Sequence, residues 1–210
     1  MAYADDLLLL VRENNRRRLE ENGTRWMKIV HEWGGNVRVQ VSRNKMNIMM
    51  LKGKFARERP PCVRLGETSL KYVTKVKYLG ITVGESMTFK EHLLEIRKKI
   101  CVVTGKLSRV ARKKWGLGKR AMRVIYKEMI TACAMYGASV WSEVLEKGYG
   151  RRMLESCERV ALYGCLKVCR TVSTEGMEVL MGELPWIFEA RMRSIAYRIK
   201  KGMIDDVVLE

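Results

Sequence analysis

The sequence has 210 residues and carries 41 Lys and Arg against 23 Asp and Glu, a formal net charge of +18. Hydrophobic residues make up 47% and charged residues 30% of it, a balance typical of folded domains that argues against general disorder. The apolar run Leu7 to Val11 is far shorter than the ~20 residues of a membrane-spanning helix, so no transmembrane helix is predicted. The excess of cations indicates a polyanionic partner, with nucleic acid favoured over an anionic membrane surface. A basic protein without a specific anionic partner is the alternative.

The six cysteines fall in apolar segments and no signal peptide is evident, which predicts buried thiols in a reducing compartment. They are Cys62, Cys101, Cys133, Cys157, Cys165 and Cys169. A zinc site at the last three is the alternative, which the absence of a neighbouring histidine disfavours.

The first part of the chain predicts short strands and one helix. Leu7 to Val11 is expected to form a strand buried on both faces. Apolar residues at helical spacing predict a helix from Asn14 or Asn15 to Trp33, which Gly34-Gly35 would end. The alternation of Val37 to Val41 predicts a half-buried strand.

The next segments predict short strands, and those beyond Pro60-Pro61 predict a small antiparallel sheet. A turn is expected at Ser42 to Lys45, before a short strand at Ile48 to Leu51. Three further β segments follow Pro60-Pro61, with turns at Gly66-Glu67 and Thr74-Lys75. They are Val63 to Leu65, Leu70 to Val73 and Val76 to Val83.

Beyond a boundary near Glu85 to Met87, the apolar spacing becomes helical throughout. One stripe predicts a long amphipathic helix: Leu93, Ile96, Ile100, Val103, Leu107 and Val110. A second helix is predicted from Lys119 to Tyr136, with an inner face of Met122, Ile125, Met129 and Cys133. A third is predicted from about Arg151 to Cys169, a fourth capped by Ser173 or Thr174, and a fifth started by Pro185. The predicted fold class is therefore α+β followed by all-α.

The tetrad Tyr3-Ala4-Asp5-Asp6 places two carboxylates at a tight turn before an apolar strand. Paired aspartates supply the hard oxygen ligands that Mg²⁺ prefers, and two Mg²⁺ ions assist nucleotidyl transfer. Two neighbouring acids in a turn are also often only solvated, so the spacing alone leaves both interpretations open.

The tetrad and the strand after it resemble motif C of reverse transcriptases, and the likeness to the LINE-type, non-LTR branch extends along nearly the whole chain. Val41 to Lys45 resembles motif D of that family, although Met46 stands where the family usually has Thr. Val76 to Ile81 resembles motif E, the primer grip, in which Gly80 permits close approach of the backbone to nucleic acid.

The resemblance implies an RNA-directed DNA polymerase with Mg²⁺ as cofactor. Asp5 would carry the metals with the help of Asp6, Tyr3 would position the primer end, and Lys45 would protonate pyrophosphate; a solvated turn lysine is the alternative for Lys45. Tyr78, Leu79 and Gly80 would contact the primer. Residues 1–86 would form a partial palm of antiparallel β structure with one helix, 87–170 a basic helical thumb, and 171–210 a helical post-thumb segment.

Between Ile96 and Lys127 the sequence has twelve cations and no Asp or Glu. On helices whose apolar stripes face inward, these cations would form a phosphate-binding face for an RNA template, a DNA primer or their duplex. The proposed contacts are Arg97, Lys98, Lys106, Arg109, Lys113, Lys114, Lys119, Arg120 and Arg123. A solvated helix face and an anionic-membrane helix are the alternatives.

A polymerase palm needs a third carboxylate, yet the only Asp besides Asp5 and Asp6 are Asp205 and Asp206 near the end of the chain. The sequence therefore leads us to expect a piece of a truncated retrotransposon that is inactive alone. The alternative is a non-catalytic basic nucleic-acid-binding module or an inert relic. A retroelement enzyme acts on chromosomal DNA, so the expected location is nucleus or cytoplasm; the oligomeric state stays open.

Overall fold

The computed structural model describes residues 2–3, 5–51, 59–110, 117–166 and 168–203. The chain forms two compact units, residues 1–88 and 89–210. Unit 1 combines short strands with one long helix, and the regular structure described in unit 2 is helical, so the α+β composition is as predicted. No helix in the described part of the chain is long and apolar enough to cross a membrane.

Unit 1 contains short strands that pair two by two. They are β1 (Ala2–Tyr3), β2 (Asp6–Leu7), β3 (Asn47–Ile48), β4 (Arg64–Leu65), β5 (Thr68–Ser69), β6 (Lys71–Tyr72), β7 (Lys75–Tyr78) and β8 (Ile81–Gly84). The antiparallel pairs are β1–β2, β4–β5 and β7–β8, whereas β3 and β6 pair in parallel. The single antiparallel sheet predicted from Val63 to Val83 is therefore wrong among the described strands, because β4–β5 and β7–β8 form separate pairs and β6 pairs in parallel with β3. Pairing register and chain direction depend on contacts that period-2 alternation does not specify.

Helix α1 (Arg16–Asn36) begins where predicted, since the Asn15 side chain accepts a hydrogen bond from the Arg17 N–H. Its end differs from the prediction because Gly34 and Gly35 lie in the last helical turn. A Cβ added to Gly34 would lie 2.9 Å from the carbonyl oxygen of Val39, so the glycine lets the chain fold back over the helix end.

The strand predicted at Val37 to Val41 is absent from the described structure. The backbone N–H of Val39 donates to the Gly34 carbonyl at 2.8 Å, and that of Arg38 donates to Gly35 at 3.3 Å. These donors satisfy the free carbonyls of the helix end and are not available to a neighbouring strand. Val37 and Val39 are consequently exposed.

The strand predicted at Leu7 to Val11 is also wrong beyond Leu7. The ladder there pairs Ala2 with Leu7 and Tyr3 with Asp6, and no other described strand pairs with β2. A strand needs a neighbour for its N–H and C=O groups, so the apolar run alone does not extend the ladder. Leu7 and Leu10 are 49% and 63% exposed, not buried on both faces.

Unit 2 is built from helices of very different lengths. They are α2 (Lys90–Val110), α3 (Lys119–Val124), a π-helical segment (Ile125–Thr131), α4 (Ala132–Ala134), α5 (Ala138–Trp141), a 3-10 turn (Ser142–Glu146), α6 (Gly148–Leu166), α7 (Thr174–Met181) and α8 (Trp186–Lys200). Ser173 caps α7 by accepting from the Gly176 N–H, and Pro185 immediately precedes α8, both as predicted.

Helix α6 is the centre of unit 2, and α2 packs against it along its length. The two helices approach closely at Gly164, where an added Cβ would lie 2.8 Å from Cβ of Thr104. The buried positions of α2 are Leu93, Ile96, Ile100 and Thr104, with His92 beside them. Leu93, Ile96 and Ile100 of the predicted amphipathic stripe are therefore buried as predicted, whereas Val103 and Leu107 are only half-buried and Thr104 is buried beside them. The side chain of Val110 lies outside the described residues. The face of α2 opposite its buried residues is directed to solvent.

In the second predicted helix, the face that is buried differs from the predicted inner face. The buried residues are Met122, Tyr126, Ile130 and Ala134, whereas Met129 is 46% exposed and Cys133 is exposed. The π-helical segment widens each turn, so residues four apart stay aligned through it. A pattern based on 3.6 residues per turn selects the wrong positions after Ile125.

Only part of the cysteine prediction is correct. Cys157 and Cys165 are buried, and burial raises the pKa of each thiol to about 11. Cys101, Cys133 and Cys169 are exposed and Cys62 is half-buried, contrary to the prediction. No group of three or more potential metal ligands occurs among the described residues.

A buried carboxyl links α6 to the start of α8. Both oxygens of Glu158 accept from the Trp186 backbone N–H at 3.1 and 3.0 Å, and the Tyr126 hydroxyl donates to Oε1 at 3.3 Å. The indole of Trp186 donates to Thr131 at 3.1 Å and stacks on Tyr126. Loss of solvation raises the pKa of Glu158 from 4.5 to about 8, and the nearby Glu178 adds to the shift.

Replacing Glu158 with Gln should remove a pH-dependent loss of stability. The folded chain binds a proton that the unfolded chain has released, so this contribution is complete below pH 4.5 and is lost as the pH rises through about 8. We expect the free energy of unfolding of the wild type to fall relative to Glu158→Gln across that range in urea titrations. Glu128→Gln, at an exposed position of the π-helical segment, should follow the wild type. Parallel curves for Glu158→Gln and wild type would contradict the raised pKa of Glu158.

Candidate nucleic-acid interface

The two predicted metal ligands lie at the tip of the β1–β2 hairpin. Asp5 occupies the turn, and Asp6 is the first residue of β2, opposite Tyr3. All three residues are exposed, with Tyr3 at 67%. No salt bridge in the described part of the chain uses either carboxylate, so both can reach a ligand in solvent.

This donor set fits part of a Mg²⁺ site. Mg²⁺ takes hard oxygen ligands in octahedral geometry and keeps several waters, so two accessible carboxylates can supply some of its ligands. Within the residues that the structure describes, no third carboxylate completes a group with Asp5 and Asp6.

Lys45 is exposed at the end of a short 3-10 turn, Arg43–Lys45, which confirms the predicted turn. Its N–H donates to the Ser42 carbonyl at 3.1 Å, and its own carbonyl accepts from the Asn47 side chain at 3.2 Å. These bonds hold its backbone. Among the described residues, no hydrogen bond or ion pair joins Lys45 to Asp5 or Asp6.

The predicted primer-contact residues form the turn of the β7–β8 hairpin. Tyr78 pairs with Ile81, which leaves Leu79 and Gly80 as a two-residue loop. Both have positive φ, 46° and 82°, as a type I′ turn requires. Leucine rarely adopts this conformation, so the turn holds Leu79 in a backbone state that normally favours glycine or asparagine. All three turn residues are half-buried.

Seven cations of unit 2 form what we call the basic surface. All seven side chains are exposed, and none makes a salt bridge among the described residues. They are Arg97, Lys98, Lys99, Lys106 and Arg109 on α2, and Lys119 and Arg120 on α3. Lys113 and Lys114, also predicted as contacts, lie outside the described residues.

Arg123 and Lys127 differ from the basic surface because they have partners within the chain. Arg123 donates to the Glu183 carboxylate at 3.2 Å and to the Gly182 carbonyl at 2.7 Å. The Lys127 ammonium lies 3.7 Å from Glu183. These contacts join α3 and the π-helical segment to the α7–α8 connection, a role that the sequence analysis did not assign to Arg123.

Two other polar residues organise unit 2 and were missed from the sequence. Arg159 donates to Thr174 and to the carbonyls of Arg170 and Val172 at 2.9 to 3.1 Å, which fixes the connection before α7. Glu158 lies four residues from both Leu154 and Leu162 on the buried face of α6. A charged residue within an apolar helical stripe was the available signal for Glu158.

Comparison with known proteins finds relatives among retrotransposon proteins. The chain is 47% identical over 203 residues to the "Retrovirus-related Pol polyprotein from type-1 retrotransposable element R1" of Bradysia coprophila. It is 46% identical over 201 residues to the "Putative 115 kDa protein in type-1 retrotransposable element R1DM" of Drosophila melanogaster. These alignments cover 97% and 96% of the chain.

The chain is a homologue of R1 retrotransposon Pol polyproteins. It spans 20% of the length of each of the two relatives named above. A more distant relative of this R1 Pol homologue is the "RNA-directed DNA polymerase from mobile element jockey" of Drosophila melanogaster, 25% identical over 66% of the chain and 15% of that protein. No protein-family model and no solved structure matches the chain.

The predicted relationship to non-LTR retrotransposon polymerases is confirmed at the level of homology. The relatives include both Pol polyproteins and RNA-directed DNA polymerases.

Gly80→Ala in the R1 Pol homologue should destabilise unit 1 by about 1 kcal/mol, because alanine is strained at a φ of 82°. Gly35→Ala is the matched control. Gly35 is helical and a Cβ there meets nothing within 4 Å, so alanine should stabilise unit 1 by about 0.5 to 1 kcal/mol. Urea unfolding followed by a probe in unit 1 measures both, and equal effects would contradict the turn assignment.

Proposed function

We propose that the chain is part of the RNA-directed DNA polymerase of a non-LTR retrotransposon. In this proposal residues 1–86 supply palm elements, and residues 87–170 act as a thumb that holds the template-primer duplex. The helical residues 171–210 support the thumb. Homology to R1 Pol polyproteins and to an RNA-directed DNA polymerase supports the class of enzyme.

The basic surface is the observation that carries the nucleic-acid part of the proposal. Its cations project from helices whose other side is buried, so they are held in place without being neutralised. Contacts between such cations and phosphates give affinity that is independent of base sequence and decreases with salt. A polymerase that copies varied sequence needs this kind of binding.

The palm residues would act at the primer end. Asp5 and Asp6 would hold Mg²⁺ through their exposed carboxylate oxygens. Bound Mg²⁺ would neutralise charge on the triphosphate and lower the pKa of the primer hydroxyl. Tyr3 would orient the primer end, and Lys45 would donate a proton to the departing pyrophosphate.

The tight turn of Tyr78, Leu79 and Gly80 would support the primer backbone. Gly80 has no side chain, so a strand of nucleic acid could approach the main chain of this turn closely. Lys75 and Lys77 are exposed on β7 and add positive charge beside the turn.

A second candidate function is non-catalytic nucleic-acid binding. The observation that favours it is that the described residues contain no group of three or more potential metal ligands. Binding by the basic surface does not depend on Asp5 or Asp6, so the two candidates differ in catalysis and agree in affinity.

The double substitution Lys98→Gln with Arg109→Gln should weaken binding to an RNA–DNA duplex and make it less sensitive to salt. Each phosphate contact contributes about one to the slope of log affinity against log salt, so the slope should fall by about two. Fluorescence anisotropy of a labelled duplex from about 50 to 200 mM salt measures it.

The matched control is Arg18→Gln with Lys28→Gln, which removes from α1 in unit 1 two exposed cations that make no salt bridge among the described residues. The control should keep most of the wild-type slope. An unchanged slope in Lys98→Gln with Arg109→Gln, or an equal fall in both double variants, would reject the basic surface as the binding site.

Asp5→Asn should leave duplex affinity within about twofold of the wild type, since this position lies outside the basic surface. Primer extension with Mg²⁺ and deoxynucleotides in the same samples tests the two candidates. We expect the 210-residue chain to bind without extending the primer, because Asp5 and Asp6 supply only part of a Mg²⁺ ligand set. Extension by wild type that Asp5→Asn abolishes would instead establish catalysis by this chain and reject the second candidate.

A further inference from the structure

Helix α8 has two apolar faces, and only one of them is covered. Trp186, Ala190 and Ser194 are buried, and α8 packs on α5 and α6. The opposite face carries four bulky apolar side chains that stay substantially exposed. They are Phe188 at 54%, Met192 at 46%, Ile195 at 37% and Ile199 at 55%. We call these four residues the α8 stripe.

The spacing of the α8 stripe is 4, 3 and 4 residues, which keeps it in one line along the helix. This is the spacing of the seam by which two helices pack side by side. The line covers nearly the whole length of α8, from its first turn to its last. Contiguous exposed apolar surface of this kind marks interaction sites more often than scattered single residues do.

The charges beside the α8 stripe are mostly positive. Arg191 and Arg198 pair with Glu146 and Glu143 at 3.5 and 2.9 Å, and Arg193 pairs with Glu189 at 2.8 Å. The carboxylates of Glu143 and Glu146 are 76% and 73% exposed, so these ion pairs are weak and can exchange for another carboxylate. Lys200 and Lys201 follow at the C-terminal end with no salt bridge in the described part of the chain.

These charges help to decide which kind of partner could bind the α8 stripe. A second copy would bring the same cations together on a chain of net charge +18, which opposes pairing. An anionic bilayer would also be attracted by the cations, but the stripe is only one side chain wide, which is narrow for the apolar face of a helix that lies in a membrane surface. An amphipathic helix with apolar residues at the same spacing and acidic residues beside them satisfies both the stripe and the excess of cations.

We propose that the α8 stripe is a docking surface for an acid-flanked amphipathic helix of another protein. Phe188, Met192, Ile195 and Ile199 bury the apolar side of that helix, and Arg198, Lys200 and Lys201 attract its carboxylates. The proposal is independent of the basic surface and of polymerisation.

The test uses the full chain and a labelled helical peptide of about 18 residues with leucines at 4-3-4 spacing and glutamates beside them. Fluorescence anisotropy gives the affinity. Phe188→Ser with Ile195→Ser should weaken binding at least about tenfold, because it removes two apolar contacts and leaves the charge unchanged. Val179→Ser with Leu180→Ser, at exposed apolar positions of α7, is the matched control and should bind like the wild type.

All four substituted side chains are exposed, so circular dichroism spectra and melting curves should coincide with those of the wild type. Equal binding by the stripe variant would mean that the peptide is attracted by charge alone and would overturn the proposal. If a peptide with lysines in place of the glutamates bound as tightly as the acidic peptide, the proposal of an acidic partner would be overturned.

Two further outcomes also overturn the proposal. Light scattering that shows a wild-type dimer, and a monomer for Phe188→Ser with Ile195→Ser, would assign the stripe to a second copy. Binding to vesicles of phosphatidylserine and phosphatidylcholine that the stripe variant loses would assign it to a lipid surface. We expect monomers for both proteins and vesicle binding that does not differ between them.

Discussion

The close packing of α2 on α6 determines what unit 2 presents to solvent. At Gly164 the two helices approach so closely that a Cβ would lie 2.8 Å from Thr104. Ile96 and Ile100 are buried on the same side of α2. Five cations of the basic surface lie on α2. Because one face of α2 is buried against α6, these cations lie toward solvent, where they make no salt bridge among the described residues.

The long helices were predictable because burial of one face repeats at a regular period that the sequence records. Ser173 and Pro185 marked helix starts through local hydrogen bonding and restricted geometry. The strands were less predictable. The N–H of Val39 donates to the end of α1 instead of to a strand, and Leu7 pairs with β1, which has only two residues. The π-helical segment shifted the buried face by a change of period that apolar spacing does not reveal.

The candidate site likewise has features that the sequence predicts and features that it does not. Exposure of Lys98 or Arg109 follows from the amphipathic stripe and is predictable. The pairing of Arg123 with Glu183 is not, because the partners are 60 residues apart and meet only through tertiary packing. Glu158 was similarly hidden, since the N–H that it accepts from belongs to a helix 28 residues further along the chain.

If nucleic acid binds the basic surface, a bound duplex shields the lysines of that surface, and lysine footprinting measures this shielding. The chain is acetylated with and without an RNA–DNA duplex, and modification at each lysine is measured by mass spectrometry. We expect protection of Lys98, Lys106 and Lys119, with Lys28 of α1 and Lys200 of α8 modified equally in both samples. Protection centred on Lys28 or Lys200, or spread evenly over all exposed lysines, would contradict binding at the basic surface.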